Sequence, residues 1–476
     1  MPPAAGDSFT TVKDYTFMYY TPKYIELMFL ARTRELAFLD ELYSSPRPEF
    51  FVLYGRRRVG KTELLQRFCQ GRRAVYFLAA QVREKDNLRA LRDAMADALA
   101  DPSIASLEFP DWSAALKFAV ERARTERLML VLDEFPYLCE ATRGLTSLVQ
   151  RFWDTSGKSS KLMLVVCGSQ VSFMEREVLA ERSPLFGRRT AQLRLEPLSP
   201  PEALQFLPKR ELDERIQAYA ILGGMPAYLR RFDEDLPLED NVVKECLRPE
   251  GYLYDEVNFL LRSELQNPST YASLLAAVAR GKDKVGDIAL EAGVDSPTAN
   301  KYLTTLRDMG LVEREVPVTD TDPLRSRRGV YRVADRFLAF HFRHIQPHAA
   351  QLQAGRGAKV WTESVVPDLP RLVDDARVDF IVHHLRTQAA DELGVELVEV
   401  GRNEGRYVRA CARASDGSGV AAIVVPPKFK DPEGLGEELA RLGRHFQGPL
   451  VKLVYGFTRR KEAPLGFERV PEGELL

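Results

Sequence analysis

Glu49-Phe50-Phe51-Val52-Leu53-Tyr54-Gly55-Arg56-Arg57-Arg58-Val59-Gly60-Lys61-Thr62 decides the fold. Its apolar residues are consecutive rather than alternating, which predicts a strand buried on both faces of a parallel sheet. Gly55 and Gly60 bracket four residues ahead of Lys61 and Thr62, and Glu63-Leu64-Leu65 then opens a helix. That spacing suits an anion. A loop that curls until successive backbone N–H groups converge on a phosphate needs glycine's dihedral freedom. Lys61 would reach the β/γ oxygens, Thr62 would offer a hydroxyl to Mg²⁺, and the positive end of the helix would face the anion. Gly55, Arg56, Arg57, Arg58, Val59, Gly60, Lys61 and Thr62 are therefore the expected nucleotide-binding residues, with Thr62 on the metal.

Around this stretch lies a chain of 476 residues, long enough for about three domains. Apolar residues make up 45% and the net charge is −1, so a nucleic-acid or membrane role would have to come from a local patch. Cys69, Cys139, Cys167, Cys246 and Cys411 are scattered and form no Cys-x-x-Cys pair, which supports neither a zinc site nor a disulfide framework. No apolar run approaches the ~18 residues of a membrane span. A cytoplasmic protein with no membrane partner is expected.

A second apolar strand is predicted over Ala74–Leu78 and a helix near 86–100. Leu128-Met129-Leu130-Val131-Leu132-Asp133-Glu134 then brings two carboxylates to a strand's C-terminal end, where ligands bind in open α/β sheets. Asp133 would hold the Mg²⁺ shell, and Glu134 would act as general base on the attacking water. The strand Leu162–Cys167 ends in Gly168-Ser169-Gln170. Ser169, with Gln170 as runner-up, would sense the γ-phosphate; the competing reading is a helix N-cap. Ser183-Pro184-Leu185-Phe186-Gly187-Arg188-Arg189-Thr190 places arginines at a turn read as lying beside the sheet's ligand end. There an arginine would stabilise transition-state charge or sit in a surface salt bridge, and the residues alone leave both open.

Taken together, Gly-Arg-Arg-Arg-Val-Gly-Lys-Thr at 55–62, Leu-Asp-Glu-Phe-Pro-Tyr-Leu at 132–138, Cys-Gly-Ser at 167–169, Ser-Pro-Leu-Phe-Gly-Arg at 183–188 and Gly-Gly-Met-Pro-Ala-Tyr-Leu at 223–229 resemble the archaeal-type ATPases. These are AAA-like P-loop ATPases of the signal-transduction branch. The resemblance implies ATP as the nucleotide, a helical lid, a winged helix behind it, and Arg188 as the finger. The segment opening at Phe29 departs from the family, because Arg32 is followed by Thr33 where the family usually carries Glu. A nucleotide contact from that segment is not carried over.

The expected fold class is α/β: a P-loop NTPase parallel sheet with a helical lid, then a winged helix-turn-helix and a small α/β C-terminal domain. The boundaries read as an extension over 1–28, an ATPase core over 29–200, a lid over 201–262, a winged helix over 263–348 and a C-terminal domain over 349–476. Ser296 is read as the N-cap of the second helix of the turn, with strands over 312–318 and 330–333 forming the wing. Residues 282–336 hold ten basic and ten acidic residues, so only the wing arginines Arg325, Arg327, Arg328, Arg332 and Arg336 are locally basic. Weak DNA binding and docking of a protein partner weigh equally here. A homo-oligomer is required if Arg188 acts in trans. His341, His344 and His348 share a helical face, where packing beside Phe337, Phe340 and Phe342 outweighs a metal site. After a linker holding Gly355, Gly357, Pro367 and Pro370, a helix is predicted over 378–390. The C-terminal segment looks similar to a restriction-endonuclease-like fold that has lost its carboxylates. Its strands carry Arg409 and Arg413, then Pro426 and Pro427, and only Lys428 survives of the metal-binding pattern.

Overall fold

The structure is a computed structural model describing residues 30–320, 322, 325–326, 328–403, 405–424 and 431–455, and the backbone of 468–470. The expected extension over 1–28, Arg327 of the wing, and Pro426, Pro427 and Lys428 lie outside the described residues. Contacts divide the chain into two compact units, Met1–Glu196 and Pro197–Leu476.

In the first unit, helix α1 (Thr33–Ser44) precedes strand β1 (Glu49–Tyr54), the phosphate-loop stretch and helix α2 (Lys61–Cys69). Strand β2 (Ala74–Leu78), helices α3 (Glu84–Ala98) and α4 (Trp112–Arg122), and strand β3 (Leu128–Asp133) follow. Helices α5 (Phe135–Ala141) and α6 (Leu145–Thr155) lead to β4 (Leu162–Gly168) and β5 (Ala191–Arg194). The sheet order is β2-β3-β4-β1-β5, and every pair is parallel. All residues of β1, β3 and β4 are buried, which is why their sequences are unbroken apolar runs. Phe50, Val52 and Tyr54 pack on one face with Leu130, Val166 and Trp112. On the other face the Phe51 ring meets Phe38 of α1 edge-on at 5.9 Å. Tyr54 stands opposite Gly168, and Leu78 opposite Asp133, so the strand ends and the loops after them share one edge.

The second unit opens with helices, including α7 (Leu212–Leu222) and α8 (Glu256–Glu264). Helices α9 (Pro268–Ala279), α10 (Val285–Ala292) and α11 (Ser296–Asp308) and the antiparallel pair β6 (Val312–Glu315) and β7 (Val330–Val333) make the winged helix-turn-helix. Strand β6 ends three residues earlier than predicted. Asp295, not Ser296, caps α11, because its carboxylate accepts the Thr298 amide at 2.6 Å. The wing is less basic than its sequence. Arg332 bridges Glu313 (2.9 Å) and Glu315 (2.8 Å), and Arg336 is buried against Asp379.

Helix α12 (Arg336–Phe340) leads into a segment where His341 and His344 are buried with Phe337, Phe340 and Phe342. His344 hydrogen-bonds Ser364 at 2.9 Å and Asp368 at 3.1 Å, one partner on each ring nitrogen. Helix α13 (Val366–Thr387) corrects the predicted linker, since it starts twelve residues earlier than expected. The helix continues directly from a π-turn (Trp361–Val365) that ends in the bond from the Val366 amide to the Trp361 carbonyl; Pro367 follows that bond, and Leu372, Ala376 and Phe380 anchor the rest. Strands β8 (Leu397–Arg402), β9 (Val408–Ala414) and β10 (Gly419–Val424), helix α14 (Pro432–Gly443), and strands β11 (Leu450–Tyr455) and β12 (Glu468–Val470) complete the chain. Their order is β12-β11-β10-β9-β8, antiparallel on the β8–β10 side and parallel beyond β10. No helix among the described residues is long and apolar enough to cross a membrane.

Candidate active site at the C-terminal edge of the parallel sheet

The loop leaving β1 is built for close approach. A Cβ on Gly55 would stand 2.4 Å from the Leu195 carbonyl oxygen, so no other residue fits there. Gly60 has φ +97° and Arg58, unusually for a side-chain-bearing residue, φ +68°. Lys61 is 5% exposed, and its Nζ donates to the carbonyls of Gly55 (2.8 Å) and Arg56 (3.0 Å). The ammonium thus closes the loop from within.

Beside it, Thr62 Oγ1 donates to Asp133 Oδ2 at 2.9 Å. The same oxygen accepts the Tyr76 hydroxyl at 2.5 Å, and Oδ1 accepts the Glu134 amide at 2.9 Å. Burial, followed by the charge of Asp133, pushes the Tyr76 phenol far above its usual range, so it stands as a permanent donor. Glu134 adopts φ +53°, a left-handed backbone for a non-glycine residue. Ser169, 2% exposed, donates to its carboxylate at 2.8 and 3.0 Å. Ser169 is thus brought to the acidic pair. The Gln170 carbonyl accepts the Met174 amide in the next helix.

Tyr76 was not legible as a site residue. Its signal is its position on β2, the strand paired with β3, and that pairing is unknown before the fold. Arg32 is the other residue missed. Its guanidinium, 5% exposed, donates to the Val59 carbonyl of the loop at 3.2 Å and to the Glu196 carbonyl at 2.6 Å. The acid absent after Arg32 is supplied by Glu35, one helical turn on, at 2.8 Å.

Arg188 requires a correction. Thr190 bonds the Phe50 carbonyl at the start of β1, the edge opposite the phosphate loop. Arg188 there pairs with Asp154 at 3.3 Å and donates to the Phe186 carbonyl at 2.9 Å. The five residues from Phe50 to Gly55 cover about 16 Å at ~3.3 Å per residue, beyond an arginine's reach. The turn precedes its strand, and strands in a parallel sheet begin at the edge away from the ligand.

The donor set fits Mg²⁺, a small hard cation that takes oxygen ligands and keeps several waters. Thr62 supplies one hydroxyl and Asp133 one carboxylate, already in contact. Fold and site together define a P-loop ATPase of the kind with a strand, here β4, between the loop strand and the acidic strand.

Comparisons place it more closely. A family described as an ATPase domain predominantly from Archaea matches residues 29–232. An uncharacterised protein of Methanocaldococcus jannaschii is 34% identical over 328 residues, covering 69% of this chain and 71% of that protein. A shorter protein of the same organism, an uncharacterised ATP-binding protein, is 40% identical over 47 residues, 10% of this chain and 80% of its own. Among solved structures, a Walker-type ATPase of Pyrococcus abyssi shares the fold, with a TM-score of 0.51 and 19% identity over 66% of this chain and 96% of its own. The chain belongs to the archaeal-type ATPase family; it binds ATP and is an ATP hydrolase.

Proposed function

We propose that this chain is a cytoplasmic, Mg²⁺-dependent ATPase whose nucleotide state acts as a switch for a protein partner. The observation that supports this reading best is the pairing of Thr62 with Asp133 and of Ser169 with Glu134 at one sheet edge. In the proposed mechanism Lys61 exchanges the carbonyls of Gly55 and Arg56 for the β/γ-phosphate oxygens. The loop amides cradle the phosphates, and Tyr76 keeps the Asp133 carboxylate turned as Thr62 leaves it. Mg²⁺, when bound, neutralises charge across the terminal phosphates. Glu134 accepts the proton of the attacking water, and Ser169 fixes the direction of its carboxylate. Arg188 belongs to a neighbouring copy's site, which makes the active form a homo-oligomer.

A protein partner is favoured over DNA by the wing. With Arg332 and Arg336 held by carboxylates, Arg325 and Arg328 are the exposed ones among the described wing arginines, and phosphate neutralisation dominates non-specific DNA affinity. The switch is tested by hydrogen exchange on the Glu134→Gln protein with ATP and on the wild type with ADP. Changed protection within residues 197–455 is expected. Identical patterns there in both states would remove the switch and leave a bare hydrolase.

A further inference from the structure

The second unit contains a cavity of about 880 Å³ remote in sequence from the phosphate loop. Its walls come from the start of α10, the wing, α12 and the segment after it, α13, β8–β9 and α14. Among the described residues its lining carries eight Lys and Arg side chains against four carboxylates.

Half of those cations form a rigid frame. Arg332, Arg336 and Arg402 pair with Glu313, Glu315, Asp375 and Asp379, so this frame is charge-compensated. Arg409 pairs with Asp374 at 2.7 Å. The other half have no carboxylate bonded to them among the described residues. Lys284 donates to the carbonyls of Arg328 (3.0 Å) and Gly329 (3.1 Å), and Arg343 to the carbonyl of Ala279. Arg328 and Arg441 project exposed at the cavity. Burial, and then the nearby Arg371, push Arg343 down to about 10, against the opposing pull of Asp368 and Asp375. Of the lining carboxylates, Glu438 is capped by the amides of Tyr407 (3.1 Å) and Val408 (3.0 Å).

We propose that this cavity is a second anion site, one that takes a phosphate-bearing small molecule of nucleotide size. Lys284, Arg328, Arg343 and Arg441 supply the charge for phosphate oxygens, and the ion-paired arginines behind them hold the wall in place. The volume lies within the range of small-ligand sites. Val330, Tyr331 and Leu442 add an apolar wall against which a base or ring packs. A duplex needs an outward stripe of cations instead, whereas these line a concavity.

The test uses the full chain with Lys61→Ala, which disables the phosphate loop. Titration with pyrophosphate and with a fluorescent ADP analogue, at low salt, should reveal one saturable site per chain. Adding Arg328→Glu and Arg441→Glu, both exposed positions, should weaken that site at least tenfold while circular dichroism stays unchanged. If Lys61→Ala alone still shows two sites and the Glu pair removes one, the phosphate-loop reading fails and the cavity stands. Absence of a saturable site in Lys61→Ala, or one indifferent to the Glu pair, overturns the proposal. Saturation by a 5′-phosphorylated oligonucleotide but not by pyrophosphate or the ADP analogue also overturns it.

Discussion

Two five-stranded sheets in one chain handle charge in opposite ways. In the first unit every strand runs parallel, and the shared C-terminal edge gathers a backbone loop, a lysine, a threonine and two carboxylates. In the second unit the sheet is mixed, and the strands β9 and β10 that would form a metal site carry Arg409 and Arg413 and no carboxylate. Those arginines are turned to local acids, Asp374 at 2.7 Å and Glu399 at 3.6 Å. The first edge brings the oxygens of Thr62 and Asp133 together with the Glu134 carboxylate, whereas among the described residues β9 and β10 offer no carboxylate. Catalysis thus separates from binding by where carboxylates stand, not by how much positive charge is near.

The comparison breaks most visibly if Arg188 is inert. Arg188→Ala should lower turnover by about 10³, the lower end for arginine fingers, with ATP affinity within a few-fold. Because the residue cannot reach its own chain's loop, wild-type activity per chain should rise with protein concentration. A wild-type rate in the variant would return Arg188 to its salt bridge with Asp154. Lys61→Ala should weaken ATP binding by roughly 100-fold, since it removes a charge-assisted contact of about 3 kcal/mol. Unchanged affinity in equilibrium titration would mean that the loop amides alone carry the nucleotide.

Tyr76→Phe sharpens the metal side of the comparison. If Asp133 holds the metal, removing the hydroxyl that orients its carboxylate should raise the Mg²⁺ concentration for half-maximal binding of a fluorescent ATP analogue by about tenfold. Binding without Mg²⁺ should not change, and equal loss with and without it would make Tyr76 merely structural. The smallest effect expected is none at all. Plasmid and single-stranded DNA incubated with the chain in Mg²⁺ or Mn²⁺ should remain intact, because β9 and β10 have no carboxylate to hold the ion.

The sequence speaks clearly where one short segment fixes both structure and chemistry. The loop from Gly55 to Thr62 is contiguous, and Asp133 and Glu134 are adjacent, so strand burial alone brings them to the ligand edge. Tyr76 and Arg32 depend on strand order and on a φ of +66° at Arg32, neither of which leaves a local pattern. Arg188 misled because motif spacing does not say at which end of a strand a turn lies. Pro367 and Pro370 look like a linker, yet the flanking apolar residues carry a helix through them. The wing shows the converse. Five arginines close in sequence look like a patch, while the fold turns Arg332 and Arg336 inward to Glu315 and Asp379.

The most direct test of the central claim is the Glu134→Gln protein, measured for ATP affinity and for turnover on the same preparation. If the carboxylate held by Ser169 is the base, affinity should match the wild type while turnover falls by about 10²–10⁴, the range of general-base contributions. Turnover near the wild-type rate, or affinity lost in step with turnover as in Lys61→Ala, would contradict the account.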